Sequence, residues 1–449
     1  MLRKSLLAGF LLLSTSVLAD DLKIRFPVEK YTLANGLTVL LHEDHTVPMV
    51  SYHTWYRVGS RDEQVGTTGA AHMLEHMMFK GAKKYSGKEF DHILHANGIT
   101  NNAFTSWDYT GFYENLPSSK LELIMDMEVD RMRFLALNPD DLKSELQVVA
   151  EERRWRVDNN PMGLLREALF GVAFTKSPYR WPVIGYMSDI QAYTTEKLKY
   201  FYDKYYVPNN AVLVIAGDFE TAKVKKMIEK YYGVLKESPL AERTYAQDPL
   251  PTKPVRKVVE SEVQTSTAML AYPGVASGHI DSYALDLLAS ILGAGSSSRL
   301  YKKLVYQDQI ATSAVSYNMT NAASGLFTLS VGLKPGQNEA NAERLMKAEV
   351  KRLLASAVTQ KELEKSKAQL MKDFVDGLMT IDGKAQALAL NEILFGTYDK
   401  LFTDLEKYKA VTLQDIQRVA KDYLKPEREI VVVLKPKSAK VSAIQGAGQ

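Results

Sequence analysis

A chain of 449 residues amounts to two to three domains at about 150 residues each. Its composition, 46% hydrophobic and 24% charged, is that of a folded protein and not of a disordered one. The formal charge of +3, with no basic block, argues against nucleic acid as a partner. The lack of cysteine excludes disulfides, cysteine nucleophiles and thiolate metal sites.

Residues 1–19 read as a secretory signal peptide. Arg3 and Lys4 form a basic start, Leu6 to Leu13 a short apolar core, and Val17-Leu18-Ala19 a small-residue cleavage pattern ahead of Asp20. An uncleaved anchor is the bland alternative, but the apolar run is short for a bilayer, and no later stretch reaches about 18 apolar residues. The expectation is a periplasmic or secreted chain with no membrane span. Without Arg3 and Lys4, the 56 basic residues fall to 54 against 53 acidic ones.

Next come "GLTVLLHED" (36–44) and "MVSYHTWYRVG" (49–59), read as strands, with Asn35-Gly36 as a turn signal. His42, His45 and His53 fall there as strand and turn residues. Helical patterns follow at 67–80, 87–97, 118–135 and 139–158, and a long one at 360–394, mildly broken at Gly377 and Gly383. Strands grouped apart from helices predict α+β domains, each a mainly antiparallel sheet with helices packed against it.

The stretch "GTTGAAHMLEHMMFKG" (66–81) places His72, Glu75 and His76 at i, i+3 and i+4, on one helix face. Thr67 or Thr68 is the expected cap and Gly81 the expected end. Chance gives this histidine-acid-histidine spacing roughly 0.02 times per chain of this composition. The bland reading is a polar stripe on a surface helix. However, Met73, Leu74, Met77, Met78 and Phe79 make the helix apolar nearly all round, which predicts burial. Buried imidazoles need partners, and a metal ion is one.

A third ligand is sought in "NPDDLKSELQVVAEERRWRVDNNP" (138–161), where Pro139 with Asp140 and Asp141 marks a helix start. Glu145, Val148, Val149 and Glu152 share one face, while Glu151 points about 100° from Glu152. Either glutamate could ligate on proximity alone, and the shared apolar stripe favours Glu152. A solvated charge cluster of Glu151, Glu152, Arg153 and Arg154 is the bland alternative. His92 and His95 also share a helix face but have no carboxylate at the right spacing. They read as surface or capping histidines.

The chain also repeats itself. Residues 194–215 and 412–433 align without gaps: Thr194 with Thr412, Tyr205 with Tyr423, Pro208 with Pro426, and Val212–Ile215 with Ile430–Val433. Each reads as a capped helix, a proline stop and a buried strand. A duplication predicts two domains, 20–235 and 258–449. The linker between them, 236–257, is rich in proline and charge.

Together, "AAHMLEHMMFKGAKKY", "SELQVVAEERR" and "NNAFTSWDYTGFYENLP" resemble the pitrilysin family of zinc peptidases, the inverzincins, whose hallmark is H-x-x-E-H. The likeness is to its bacterial half-size members and to the catalytic subunit of the mitochondrial processing peptidase, over essentially the whole mature chain. It implies one zinc ion per chain on His72, His76 and Glu152, with Glu75 as catalytic base and Glu145 as an assisting acid. It also implies an edge strand at Asn102, Ala103, Phe104 and Thr105 that pairs with an extended peptide. It implies a half built of two related α+β domains, with two such halves closing like a clamshell. In the repeat alignment His72, Glu75 and His76 fall on Ser290, Gly293 and Ala294, so the second domain resembles the first without its ligands.

One departure stands out. In "ILGAGSSSRLYKKLVYQDQIATSAVSY", Val305 and Thr312 occupy positions where the family often has an Arg and a Tyr that contact the substrate. The departure implies a homodimer, or a heterodimer with a related chain supplying that pair. The implied function is a zinc-dependent endopeptidase or oligopeptidase for short or unfolded polypeptides. The rival is a non-catalytic scaffold or peptide-binding subunit of a larger assembly.

Overall fold

The computed structural model describes residues 24–437, except Ala241 and Ala357; the expected signal peptide lies outside the described residues. The chain builds two sheets. The first takes β1 (Glu29–Thr32), β2 (Thr38–Glu43), β3 (Met49–Tyr56), β4 (Thr100–Thr105), β5 (Thr110–Pro117) and β6 (Ala211–Gly217), in the order β1-β2-β6-β3-β5-β4. The second takes β7 (Val255–Ser261), β8 (Thr267–Pro273), β9 (Ala311–Thr320), β10 (Gly325–Leu333) and β11 (Ile430–Pro436), in the order β7-β11-β8-β10-β9. Among the described residues, only β2 with β6 and β7 with β11 run parallel. The fold is therefore two related α+β domains with mainly antiparallel sheets. The Asn35-Gly36 turn joins β1 to β2, with Gly36 at φ +82°, a conformation L side chains rarely adopt.

The first domain carries helices α1 (Ala70–Met77), α2 (Gly87–Ala96), α3 (Leu121–Arg133), α4 (Pro139–Arg153), α5 (Pro161–Ala173), α6 (Met187–Ile190), α7 (Thr195–Tyr205) and α8 (Thr221–Tyr232). The second carries α9 (Ile280–Gly293), α10 (Glu339–Ala355), α11 (Gln360–Gly377), α12 (Ile381–Phe395), α13 (Lys400–Ala410) and α14 (Leu413–Tyr423). The aligned segments fold alike. Thr194 and Thr412 cap α7 and α14, each hydroxyl accepting the N–H three residues on. Pro208 and Pro426 each open a 3-10 turn, and β6 and β11 follow as inner strands. Strand β7 starts at Val255, three residues inside the stretch expected to be a linker.

One side of each sheet packs on helices of its own domain: Val39, Tyr52 and Leu213 with Met73 and Met77, and Leu270 and Val433 with Leu285 and Leu288. The opposite sides are exchanged. Leu165, Leu169 and Phe170 of α5 pack on Met269, Ala271 and Val432 of the second sheet. Leu388, Ala389 and Ile393 of α12 pack on Leu40, Trp55 and Val214 of the first. Each domain thus lends a helix to the other. The pattern at 360–394 forms two helices, not one. Thr380 accepts the Gly383 N–H at 2.9 Å to cap α12, and a side chain at Gly383 would meet the Gly377 carbonyl.

Since Leu388 is fully buried in the exchanged contact, Leu388→Ala is expected to cost about 2–5 kcal/mol. Chemical denaturation should show this as a lower midpoint of one concerted transition. A variant that unfolds one domain while leaving the other folded would contradict the interlocked packing.

Candidate metal and peptide site

Helix α1 does not start as the sequence suggests. Neither Thr67 nor Thr68 caps it. Gly69 is the N-cap, in the left-handed region at φ +88°, and makes no side-chain contact. The buried Glu63 carboxylate instead accepts the N–H groups of Gly69 at 2.7 Å and Ala71 at 2.9 Å. A carboxylate there also suits the positive end of the helix dipole. Thr68 is occupied elsewhere, its hydroxyl donating to Asp189 at 2.7 Å. The helix ends at Met77, four residues before Gly81. Ala71, Met73, Leu74 and Met77 are fully buried, so α1 is a core helix that carries polar residues on one face.

Helix α4 starts as expected, with Asn138 as N-cap and Pro139 in its first turn. Its buried face holds Leu142, Glu145 and Val149, whereas Val148 is 47% exposed and is not part of the stripe. Glu151 is exposed and pairs with Arg154, and Glu152 turns inward. The structure brings His72, His76 and Glu152 together, with one donor atom from each within 4.8 Å of the others. Glu152 Oε2 lies 3.6 Å from His72 Nε2 and 3.2 Å from His76 Nε2. Glu145 meets the other side of the His76 ring, 3.1 Å from Nδ1.

The electrostatics are those of a cation site. Burial, with His76 beside it, pushes the His72 imidazole down to about 3 and keeps it neutral. Burial opposes charge on His76 too, but Glu145 and Glu152 outweigh it and raise that ring to about 9. Glu152 Oε2 is buried, makes no well-formed hydrogen bond and faces only the two imidazoles, so its charge is balanced by a proton on His76 or by a metal ion in that proton's place. Two imidazoles and one carboxylate form a donor set that suits zinc, so these residues fit the ion. Glu75, half-buried on the same helix, accepts the Thr105 hydroxyl, and burial raises its pKa.

All of these residues line one cavity of about 1130 Å³ between the domains. Strand β4, the free edge of the first sheet, contributes Asn102, Ala103, Phe104 and Thr105. The Ala103 N–H donates to the Asn102 side chain at 2.9 Å, so no strand partner holds it. The second domain supplies Met269, Val315, Tyr317 and Met319. Val305 and Thr312 are absent from the lining. Val305 packs against the second core, and Thr312 is the extra residue of a bulge where β9 meets β10. His92 and His95 are exposed on α2, and His53 faces Asp382 of α12 at 3.0 Å.

Sequence reasoning missed Trp107, Arg156, Arg166 and Tyr317, which also line the cavity. Arg156 pairs with Glu152 at 2.8 Å. It does so from a five-residue π-helical turn, Arg154–Asp158, that directly follows α4, a local signal common at functional sites.

Residues 38–185 match the insulinase family (peptidase family M16), and residues 192–370 match its companion, the peptidase M16 inactive domain. The zinc protease PqqE of Helicobacter pylori is 34% identical over 417 residues, spanning 91% of this chain and 93% of that protein. The chain belongs to the M16 family. This is the pitrilysin-type peptidase family that its motifs resemble, and the chain is a half-size bacterial-type member. The crystal structure of a protease from Helicobacter pylori superimposes with a TM-score of 0.86 at 33% identity, covering 92% of this chain and all of that one. A peptidase M16 inactive domain from Pseudomonas fluorescens shares the M16 fold, with a TM-score of 0.84 at 19% identity, covering 92% of this chain and 99% of that one. The match described as inactive begins at residue 192, beyond His72, His76 and Glu152.

A methyl group on Gly69 would lie 2.4 Å from the Ile184 carbonyl oxygen, in a backbone region that disfavours any side chain. Gly69→Ala is therefore expected to cost roughly 1–3 kcal/mol. It should also lower the metal content of the purified protein, since α1 carries both imidazoles. Unchanged thermal midpoint and metal content would contradict this account of the helix start.

Proposed function

We propose that this M16 chain is an exported, zinc-dependent endopeptidase or oligopeptidase that hydrolyses short or unfolded polypeptides. One observation carries the reading: His72, His76 and Glu152 converge in a cavity that also exposes the free edge of β4. Export rests on the signal-like sequence of residues 1–19; among the described residues no helix is long and apolar enough to cross a membrane.

His72 and His76 would offer their Nε2 atoms, and Glu152 a carboxylate oxygen, to one zinc ion. Zinc there supplies a Lewis acid that polarises a peptide carbonyl and lowers the pKa of water at the site toward neutrality. Glu75, raised by burial, takes a proton from the attacking water and returns it to the leaving amine. Thr105 holds Glu75 in place, tying the base to the substrate strand. Glu145 fixes the His76 ring so that Nε2 faces Glu152, and Lys80 in turn pairs with Glu145. An extended peptide pairs with β4 and displaces Asn102 from the Ala103 N–H. The cavity admits an extended segment and is far too small for a folded domain.

The reading includes a second chain, the partner in a homodimer or heterodimer. Neither Val305 nor Thr312 offers a charged or phenolic donor to the cavity, and one donor aimed at a developing oxyanion is worth about 10²–10³ in rate. The Arg and Tyr of a related chain would supply such donors. The scaffold reading finds its support in the shared fold with the Pseudomonas fluorescens inactive domain.

Glu75→Gln should keep its zinc, measured by elemental analysis, and lose roughly 10²-fold or more in peptide cleavage. Cleavage at the wild-type rate would refute the mechanism, and zinc-loaded wild type with no cleavage, alone or with a related chain, would favour the scaffold. Chelation should abolish cleavage and added zinc restore it. Activity per chain should rise as subunits associate, read by sedimentation alongside the assay; a fully active monomer would contradict the two-chain element.

A further inference from the structure

The charges lining the cavity are nearly all matched. Lys80 sits on Glu145, Arg156 pairs with Glu152 at 2.8 Å, and Glu167 pairs with Arg153 at 3.0 Å. Glu75 is the carboxylate set aside for chemistry. Arg166 differs. It stands on α5, is exposed to the cavity, and among the described residues makes no ion pair and no side-chain hydrogen bond. Its guanidinium lies over the rings of Trp107, 5.0 Å from the centroid, and Phe170, 5.7 Å from the centroid. Those rings stack on each other at 4.6 Å with 4° between their planes, a rigid apolar platform under the cation.

Partial desolvation by its neighbours lowers the Arg166 pKa, and no carboxylate acts to restore it. A guanidinium resting on two rings with five free donors is matched by a planar carboxylate, which it binds through two parallel hydrogen bonds. Its place along the substrate path is also defined. Trp107 follows two residues after Thr105, where β4 ends beside Glu75, so the guanidinium stands just past the reacting end of the strand. The exchange of α5 onto the second sheet holds it there.

We propose that Arg166 is a specificity determinant that binds a carboxylate of the peptide substrate. That carboxylate is either an Asp or Glu side chain close to the scissile bond or the peptide's own C-terminus. The inference rests on the peptidase reading, because the ligand it names is a peptide lying along β4.

The test uses the full zinc-loaded chain, with any partner it needs, and internally quenched peptides of one base sequence. One series exchanges Asp for Asn position by position, and a second exchanges a free C-terminus for a C-terminal amide. The first series reports a side-chain carboxylate and the second a terminal one. The wild type is expected to prefer the carboxylate form about tenfold in kcat/KM at one position or at the C-terminus, the scale of a charge-assisted hydrogen bond. Arg166→Met should bring that ratio to about one, and Arg166→Lys should retain part of it. No preference in the wild type at any position, or a preference that survives in Arg166→Met, would overturn the proposal. If no peptide is cleaved, the peptidase reading falls, and fluorescence anisotropy with the same peptides decides. Tighter binding of the carboxylate form that is lost in Arg166→Met sustains the role of Arg166, and equal binding of both forms overturns it.

Discussion

Everything at the site depends on one contact, in which a carboxylate on α4 meets two imidazoles on α1 inside the first core. Glu152 Oε2 stands 3.2 Å from His76 and 3.6 Å from His72, and the helices that place these groups are anchored by Met73, Leu74 and Met77 on one side and Val149 on the other. Putting such groups where water is scarce is costly unless a cation joins them. That cost makes the cluster informative. A surface trio of the same residues would carry no such demand, whereas here one carboxylate oxygen is left without a hydrogen bond. Sheet, helix contact and site are thus a single construction. Shifting α1 along α4 by one turn, about 5.4 Å, would dissolve the cluster.

The second domain acts as a wall, and the structure shows why it is no second site. Gly293, which aligns with Glu75, presses its backbone so close to β9 that an added carbon would lie 2.0 Å from the Ser316 nitrogen. Where the first domain holds Glu75 against its edge strand, the second leaves no room for a side chain. What the second domain contributes is a wall of mixed polarity, Met269, Val315 and Met319 together with Tyr317, Thr328 and Ser330, lining the cavity that β4 also lines. The exchange of α5 and α12 fixes the separation of the two sheets. The cavity is therefore part of the folded core, not a cleft between loosely linked units.

The parts legible in the sequence were those with short periods. His72, Glu75 and His76 lie within five residues on one helix, so spacing alone places them on one face. Glu152 was reached by the same periodic argument along α4, though Val148, counted in its stripe, turned out to be exposed. Local patterns failed where a distant residue took over a local task. Glu63, from the segment before α1, caps that helix in place of the threonines next to it. Thr380 ends what looked like one long helix, because a capping hydroxyl outweighed the helical periodicity around it. Trp107, Arg166 and Tyr317 could not be read at all, since they line one cavity from segments far apart in the chain.

The most direct measurement is anomalous diffraction at the zinc edge, on crystals of the zinc-loaded Glu75→Gln chain soaked with an uncleaved peptide. The account predicts a single strong peak within ligand distance of His72 Nε2, His76 Nε2 and a Glu152 oxygen, with the peptide backbone paired to β4 at Ala103. A peak elsewhere, for instance between His92 and His95, or a peptide bound away from β4, would contradict it.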